Sequence, residues 1–189
     1  MRRVLLLVPP TLAASAALYR LLLRGSLALD LGIGRRTRPL GPISIDAAAP
    51  PQTLFDVIAE PYLQKTPRAM AGKLRVLERG SDLALAAHFT QLGGGKVATT
   101  VETVRFERPT RVSFRLVRGP VPHVIETFEL RPAGDGTRLA YQGELGTDLW
   151  GLGQWWGNRV ATIWEQTVRR SLDEARSESE RRAKAERYE

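Results

Sequence analysis

Between residues 74 and 145 the chain breaks into six short runs with strand character, each closed by turn chemistry a few residues long. Leu74 to Glu78 ends at Gly80, Ser81 and Asp82, Leu83 to Gln91 at Gly93 to Gly95, and Val97 to Glu107 at Pro109 and Thr110. Arg111 to Arg118 ends at Gly119 and Pro120, His123 to Arg131 at Gly134 to Gly136, and Thr137 to Leu145 at Gly146. Connections this short join antiparallel neighbours, because a parallel return needs a crossover of a dozen residues or more. A different period follows at once: Trp156, Val160, Ile163, Trp164, Val168 and Leu172 recur at helical spacing. One long amphipathic helix after a meander predicts an α+β architecture in which the antiparallel sheet wraps around a long C-terminal helix and encloses an apolar interior.

Ahead of the meander, Ile43, Ile45 and Ala47 alternate with Ser44 and Asp46 as a first strand. Pro50 and Pro51 open a short helix whose buried face is Leu54, Phe55, Val57 and Ile58, and Pro61 is expected to end it. Tyr62 to Pro67 forms a second short turn or helix. Thr147 or Asp148 is the expected N-cap of the final helix, and Gly151, Gly153 and Gly157 mark close packing or a loose first turn. Past Leu172 the mixed charges predict a solvated helical end.

The net charge of +8 is concentrated in one place. Residues 1 to 40 hold seven arginines (2, 3, 20, 24, 35, 36 and 38) against Asp30 alone, leaving residues 41 to 189 at +2. The arginines flank the apolar stretch Val4 to Leu23 and are not interleaved with stacking aromatics, which favours an anionic membrane surface over nucleic acid as the partner. Residues 1 to 24 are read as an N-terminal apolar helix acting as a membrane anchor, with the domain on the cytoplasmic side because the arginine excess follows the apolar stretch. The alternatives are a cleaved secretory signal, supported by Arg2, Arg3 and the small residues 13 to 16, and a soluble or interfacial helix. Residues 25 to 41 read as a basic linker. The chain has no cysteine, which removes disulfides and thiolate chemistry together.

The run Ile43-Ser-Ile-Asp-Ala-Ala-Ala-Pro-Pro-Gln-Thr-Leu-Phe-Asp-Val-Ile-Ala, with Tyr62 and Pro67 after it, resembles the start of START and Bet v 1-like (SRPBCC) domains, in particular their polyketide cyclase/dehydrase and coenzyme-Q-binding branches. Phe106-Glu-Arg-Pro-Thr-Arg-Val-Ser-Phe and Gly136-Thr-Arg-Leu-Ala-Tyr carry the likeness further along the chain. The resemblance implies a helix-grip fold over residues 42 to 178, with 179 to 189 as a charged helical tail, and a cavity for a lipid, quinone, polyketide or sterol-like molecule.

Glu126 stands out because it shares a strand face with Val124, Phe128 and Leu130, where side chains should point inward. A carboxylate there needs a donor or a raised pKa, which makes it a candidate polar anchor or general acid/base. Phe128, Phe114, Leu116, Tyr141, Trp156 and Val160 complete the expected ligand cavity. His88 alternates with Ala84, Ala86 and Thr90 opposite Leu83, Leu85, Ala87 and Phe89, so it is expected to face outward. Neither His88 nor His123 has a carboxylate at ligand spacing, and no metal or cofactor site is proposed. Gly93-Gly94-Gly95-Lys96 is a turn, lacking the spacing of a phosphate loop. The functional expectation is a noncatalytic carrier or sensor of a hydrophobic small molecule at a membrane. The alternatives are a cyclase or aromatase-type enzyme using Glu126 or Tyr141, and a structural or assembly partner with a filled core.

Overall fold

The computed structural model describes residues 10–27, 30–64 and 66–187. Helix α1 (Pro10–Leu23) precedes strand β1 (Arg36–Ala47) and helix α2 (Pro51–Leu63). A short 3-10 turn (Arg68–Met70) leads into strands β2 (Leu74–Arg79), β3 (Leu83–Gly93), β4 (Lys96–Glu107), β5 (Arg111–Arg118), β6 (His123–Ala133) and β7 (Gly136–Thr147). Helix α3 (Trp150–Glu186) ends the chain's regular structure. The strands form one antiparallel sheet in the order β1-β7-β6-β5-β4-β3-β2, so every neighbour except β1 and β7 is also a neighbour in sequence. This is the expected α+β helix-grip fold.

Alternation on the strands places the core. Val124, Glu126, Phe128 and Leu130 of β6 share the concave face with Val112 and Phe114 of β5 and with Leu139 and Tyr141 of β7, all against α3 or α2. Phe55 and Leu54 of α2 are fully buried, and Phe55 meets Phe106 edge-on at 6.4 Å. At the β1 bulge between Leu40 and Ile43, Gly41 has φ +80 and an added Cβ would lie 3.1 Å from the Tyr141 carbonyl, so glycine is required there.

Several expectations are corrected. The first strand begins at Arg36, inside the stretch read as linker, because residues 36 to 40 pair with β7 ahead of the bulge. Pro61 lies within α2, which runs on to Leu63. The charged end of α3 is only partly solvated: Ser179 and Ala183 are buried, Arg182 reaches Glu60 of α2 at 2.8 Å, and Glu180 accepts the Ala48 amide at 3.0 Å. Neither Thr147 nor Asp148 caps α3, which starts after a left-handed Leu149. Its glycines are there for close packing. A Cβ on Gly153 would sit 1.6 Å from the Asp148 carbonyl, and one on Gly157 would press on Thr147 at 3.0 Å.

Asp148 instead fastens the arm. Its carboxylate accepts the amides of Leu31 at 2.6 Å and Gly32 at 2.8 Å, and Arg35 Nε at 2.7 Å. Helix α1 has 14 residues, and among the described residues no helix is long and apolar enough to cross a membrane. Residues 1 to 9 of the expected anchor lie outside the described residues.

The Arg35 guanidinium holds the Asp148 carboxyl down to about 2, below the usual value of 3.8. A depressed carboxyl stabilises the folded state above its unfolded pKa and loses that contribution as pH falls through the folded one. Asp148→Asn is therefore expected to cost about 2 kcal/mol in urea unfolding at neutral pH. The difference from wild type should shrink as pH falls from about 4 towards 2.

Candidate ligand cavity

Helix α3 lies along β1 and β7, while the other half of the concave face curves away from it toward α2. The space left is a cavity of about 830 Å³, walled by α2, α3, the inner faces of β3 to β6, and Tyr19 and Leu23 of α1. That volume suits a drug-sized or lipid-like molecule. Its walls are mainly apolar, with Val57, Ile58, Phe114, Phe128, Val160 and Leu172 among them.

Two carboxyls interrupt the apolar wall. Glu126 is 4% exposed and accepts the Tyr141 hydroxyl and the Trp164 indole N–H, both at 2.6 Å and both on Oε1. Burial pushes its pKa up, the nearby Glu102 charge adds to the rise, and the two donors oppose it. Glu102, 5% exposed, is pushed up by burial in the same way, against a hydrogen bond from Thr100. With Oε1 of Glu126 already accepting two hydrogen bonds, Oε2 is left to carry the retained proton.

Beside Glu102 stands His88. Its Nε2 is 2.9 Å from the Tyr62 hydroxyl and its Nδ1 lies 3.3 Å from Glu102 Oε2, outside hydrogen-bond geometry. Burial lowers the imidazole to about 4, so it is neutral at physiological pH. Burial also raises the Tyr62 hydroxyl well above the usual tyrosine range, helped by the Glu102 and Glu126 charges. An aromatic series joins the two polar centres: Tyr62 to Phe114 at 6.0 Å, Phe114 to Phe128 at 5.4 Å and Phe128 to Tyr141 at 5.1 Å.

Of the residues singled out in the sequence, Glu126, Phe128, Phe114, Trp156 and Val160 line this cavity. Tyr141 does not reach the wall; it is 1% exposed and acts from behind through its bond to Glu126. Leu116 packs against the core instead, beyond the point where β5 leaves the cavity. Trp156 donates its indole N–H to the Pro120 carbonyl at 2.8 Å, which fixes the ring at the cavity's edge.

His88 faces inward, against expectation. The inner face of β3 is made of Ala84 and Ala86, small because α2 crosses close above them, and the bulkier Leu83 and Leu85 point away. Hydrophobic weight therefore misreports the face. Glu102, Tyr62 and His88 were the residues missed as a group. The signal lay in the pairing of Ala86 with Glu102, His88 with Thr100 and Ala84 with Val104, which puts Thr100, Glu102, Val104 and Phe106 on one face.

Among the described residues no group of histidine and carboxylate side chains could hold a metal ion.

The sequence profile for the family "Polyketide cyclase / dehydrase and lipid transport" matches residues 43–180, and the chain belongs to that family. Among solved structures, the ZhuI aromatase/cyclase from Streptomyces sp. R1128 superposes with a TM-score of 0.64 at 16% identity, over 78% of this chain and 95% of that one. TTHA0849 from Thermus thermophilus does so with a TM-score of 0.56 at 18% identity, over 77% and 94%. The di-domain aromatase/cyclase BexL from the BE-7585A biosynthetic pathway matches with a TM-score of 0.61 at 14% identity, over 78% of this chain and 50% of that one. At such identities the likeness is one of fold. No curated protein matches the sequence. Family and cavity together define a hydrophobic-ligand-binding domain of the SRPBCC superfamily.

A raised carboxyl pKa has the opposite linkage to that of Asp148. The folded state holds more protons than the unfolded chain above about pH 4.5, so stability falls as pH rises through the window in which Glu126 and Glu102 titrate. Glu126→Gln, which keeps the shape and removes the charge, is expected to flatten the decline between about pH 5 and 9 in thermal melts, and to leave the protein no less stable at the alkaline end.

Proposed function

We propose that the protein binds and carries a hydrophobic small molecule of lipid, quinone or polyketide type, seating its carbonyl or hydroxyl end against Glu126. The observation that carries this reading is a buried carboxyl, oriented by Tyr141 and Trp164 and pushed toward its protonated form by burial, set in the wall of an apolar cavity of about 830 Å³. Apolar walls contribute about 25 cal/mol per Å² of ligand surface buried, and a protonated acid in a dry site donates to a carbonyl without the cost of burying a charge. Glu102, raised by burial to about 7, offers a second polar contact in the cavity wall, which supports a ligand with more than one oxygen function.

A cyclase-type enzyme is the second reading, favoured by one specific arrangement. Tyr62, neutral His88 and Glu102 stand in sequence along one wall and could pass a proton between a carboxyl and a bound carbonyl compound. In that case the ligand is a substrate and the cavity folds it by proximity.

Native mass spectrometry of protein purified from a lipid-containing host, followed by organic extraction, tests the first reading. A stoichiometric hydrophobic passenger, recovered unchanged in mass from wild type, His88→Gln and Glu102→Gln, is the expected result. Glu126→Gln, whose amide keeps a donor where the carboxyl proton was, is expected to hold the passenger about as well as wild type, whereas Glu126→Leu is expected to hold it more weakly, by roughly five- to tenfold for one lost hydrogen bond. A passenger that differs from that of His88→Gln by the mass of water would instead favour the enzyme, and an empty cavity that ignores added quinones and fatty acids would overturn the carrier reading and favour an enzyme with a transient substrate or a filled structural core.

A further inference from the structure

The cavity opens along α3, and the two ends of that opening differ in chemistry. At the far end Glu174, Glu178 and Arg182 fringe it. At the near end four segments converge. Tyr19 of α1 meets Trp156 edge-on at 6.0 Å, Lys96 Nζ lies 5.5 Å from the Tyr19 ring, Trp156 bonds the Pro120 carbonyl at 2.8 Å, and Arg118 Nε donates to the Gly25 carbonyl. The near end therefore consists of α1, the β3–β4 turn, the β5–β6 turn and the start of α3.

Those segments, residues 10–27, 91–101, 115–124 and 149–164, contain Arg20, Arg24, Lys96, Arg115, Arg118 and Arg159, and not one Asp or Glu. The acids flanking them are engaged or buried: Asp30 and Asp148 are held by Arg35, Glu165 by Arg38 at 3.4 Å and Glu144 by His123 at 3.0 Å, and Glu102 lies inside the cavity wall. Large apolar side chains stand exposed among the cations. Leu152 is 67% and Trp155 55% exposed, the Arg159 guanidinium lies over the Trp155 ring, and Leu18 and Leu21 of α1 also face solvent. Tyr19 and Ile163 are both exposed and part of the cavity wall, so this patch is continuous with the cavity's mouth.

We propose that this end of the molecule docks on an anionic lipid bilayer, with α1 and the first turns of α3 lying in the headgroup layer and the cavity mouth facing the lipid. Exposed leucine and tryptophan set among arginines match the two halves of an interfacial site, apolar contact below the headgroups and attraction to anionic lipid at their level. A phosphate backbone would use the cations but would leave the leucines in water. The docking surface stands apart from the identity of the ligand, and it gives the cavity an opening onto the phase in which hydrophobic molecules are held.

Co-flotation of the full chain with vesicles of phosphatidylcholine alone, or with phosphatidylglycerol added, tests it. Binding to the anionic vesicles is expected, weakening with salt, with blue-shifted tryptophan emission that brominated lipid quenches. Arg20→Glu with Arg24→Glu should weaken it about tenfold or more. Leu152→Ser with Trp155→Ser, a pair of exposed positions that leaves the core intact, should reduce the quenching to what Trp150 and Trp156 contribute and weaken binding to a similar degree. The proposal is overturned if wild type stays unbound at low salt, if both double variants float like wild type, if the chain prefers DNA to vesicles, or if it resists alkaline carbonate extraction as a spanning protein does. Extraction of the passenger from the same variants keeps the two readings apart: a retained passenger without vesicle binding defeats only the docking surface, and vesicle binding by an empty protein defeats only the ligand.

Discussion

Everything in this molecule follows from how α3 is seated. Gly153 and Gly157 allow its first turns to touch residues 147 and 148 at distances no side chain would permit, and Ala183 and Arg182 fasten its last turns to α2. Held at both ends and supported along β1 and β7, the helix cannot collapse onto β3 to β6. Interiors are ordinarily packed as densely as organic crystals, so a cavity of about 830 Å³ persists only where the surrounding elements are braced against each other. The glycines are thus part of the reason there is a cavity to line.

The polar centres gain their properties from the same enclosure. In water Glu126 and Glu102 would be ionised at neutral pH; behind apolar walls both are pushed toward the protonated form, Glu126 to about 8 and Glu102 to about 7. Tyr141 and Trp164 hold Glu126 in one orientation without removing that proton, because both bonds fall on one oxygen. His88 is driven the other way by burial and stays neutral, so it adds no charge beside Glu102. A hydrophobic molecule with one or two oxygens meets donors where it needs them and hydrocarbon elsewhere.

The arm preceding the family domain is tied to it at two places, by Asp148 through Leu31, Gly32 and Arg35 and by Arg118 through Gly25. These ties set α1 beside the cavity mouth, with its Tyr19 against Lys96 and Trp156. Cations that lie apart in sequence, Arg20, Arg24, Lys96, Arg118 and Arg159, fall in segments that meet at one end of the cavity, opposite an end fringed by Glu174, Glu178 and Arg182. A basic arm alone would carry no such geometry.

The element order was legible from residues alone, because period-two alternation, glycine and proline turns and a helical stripe are local properties of backbone and solvent. So was the inward position of Glu126, since Val124, Phe128 and Leu130 share its parity. Tyr62, His88 and Glu102 became a site only in three dimensions. Their faces depend on strand register and on α2 crossing over small alanines, and a strand's own hydrophobicity does not report how near its neighbour comes. The place of Asp148 was likewise decided by tertiary structure: an acid before a helix looks like a cap, but the arm's amides and Arg35 offered it more partners than the first turn of α3 did. Sequence determined the order of the elements and the inward face of β6; packing decided the faces of His88 and Glu102, the burial of the end of α3 and which side chains would meet.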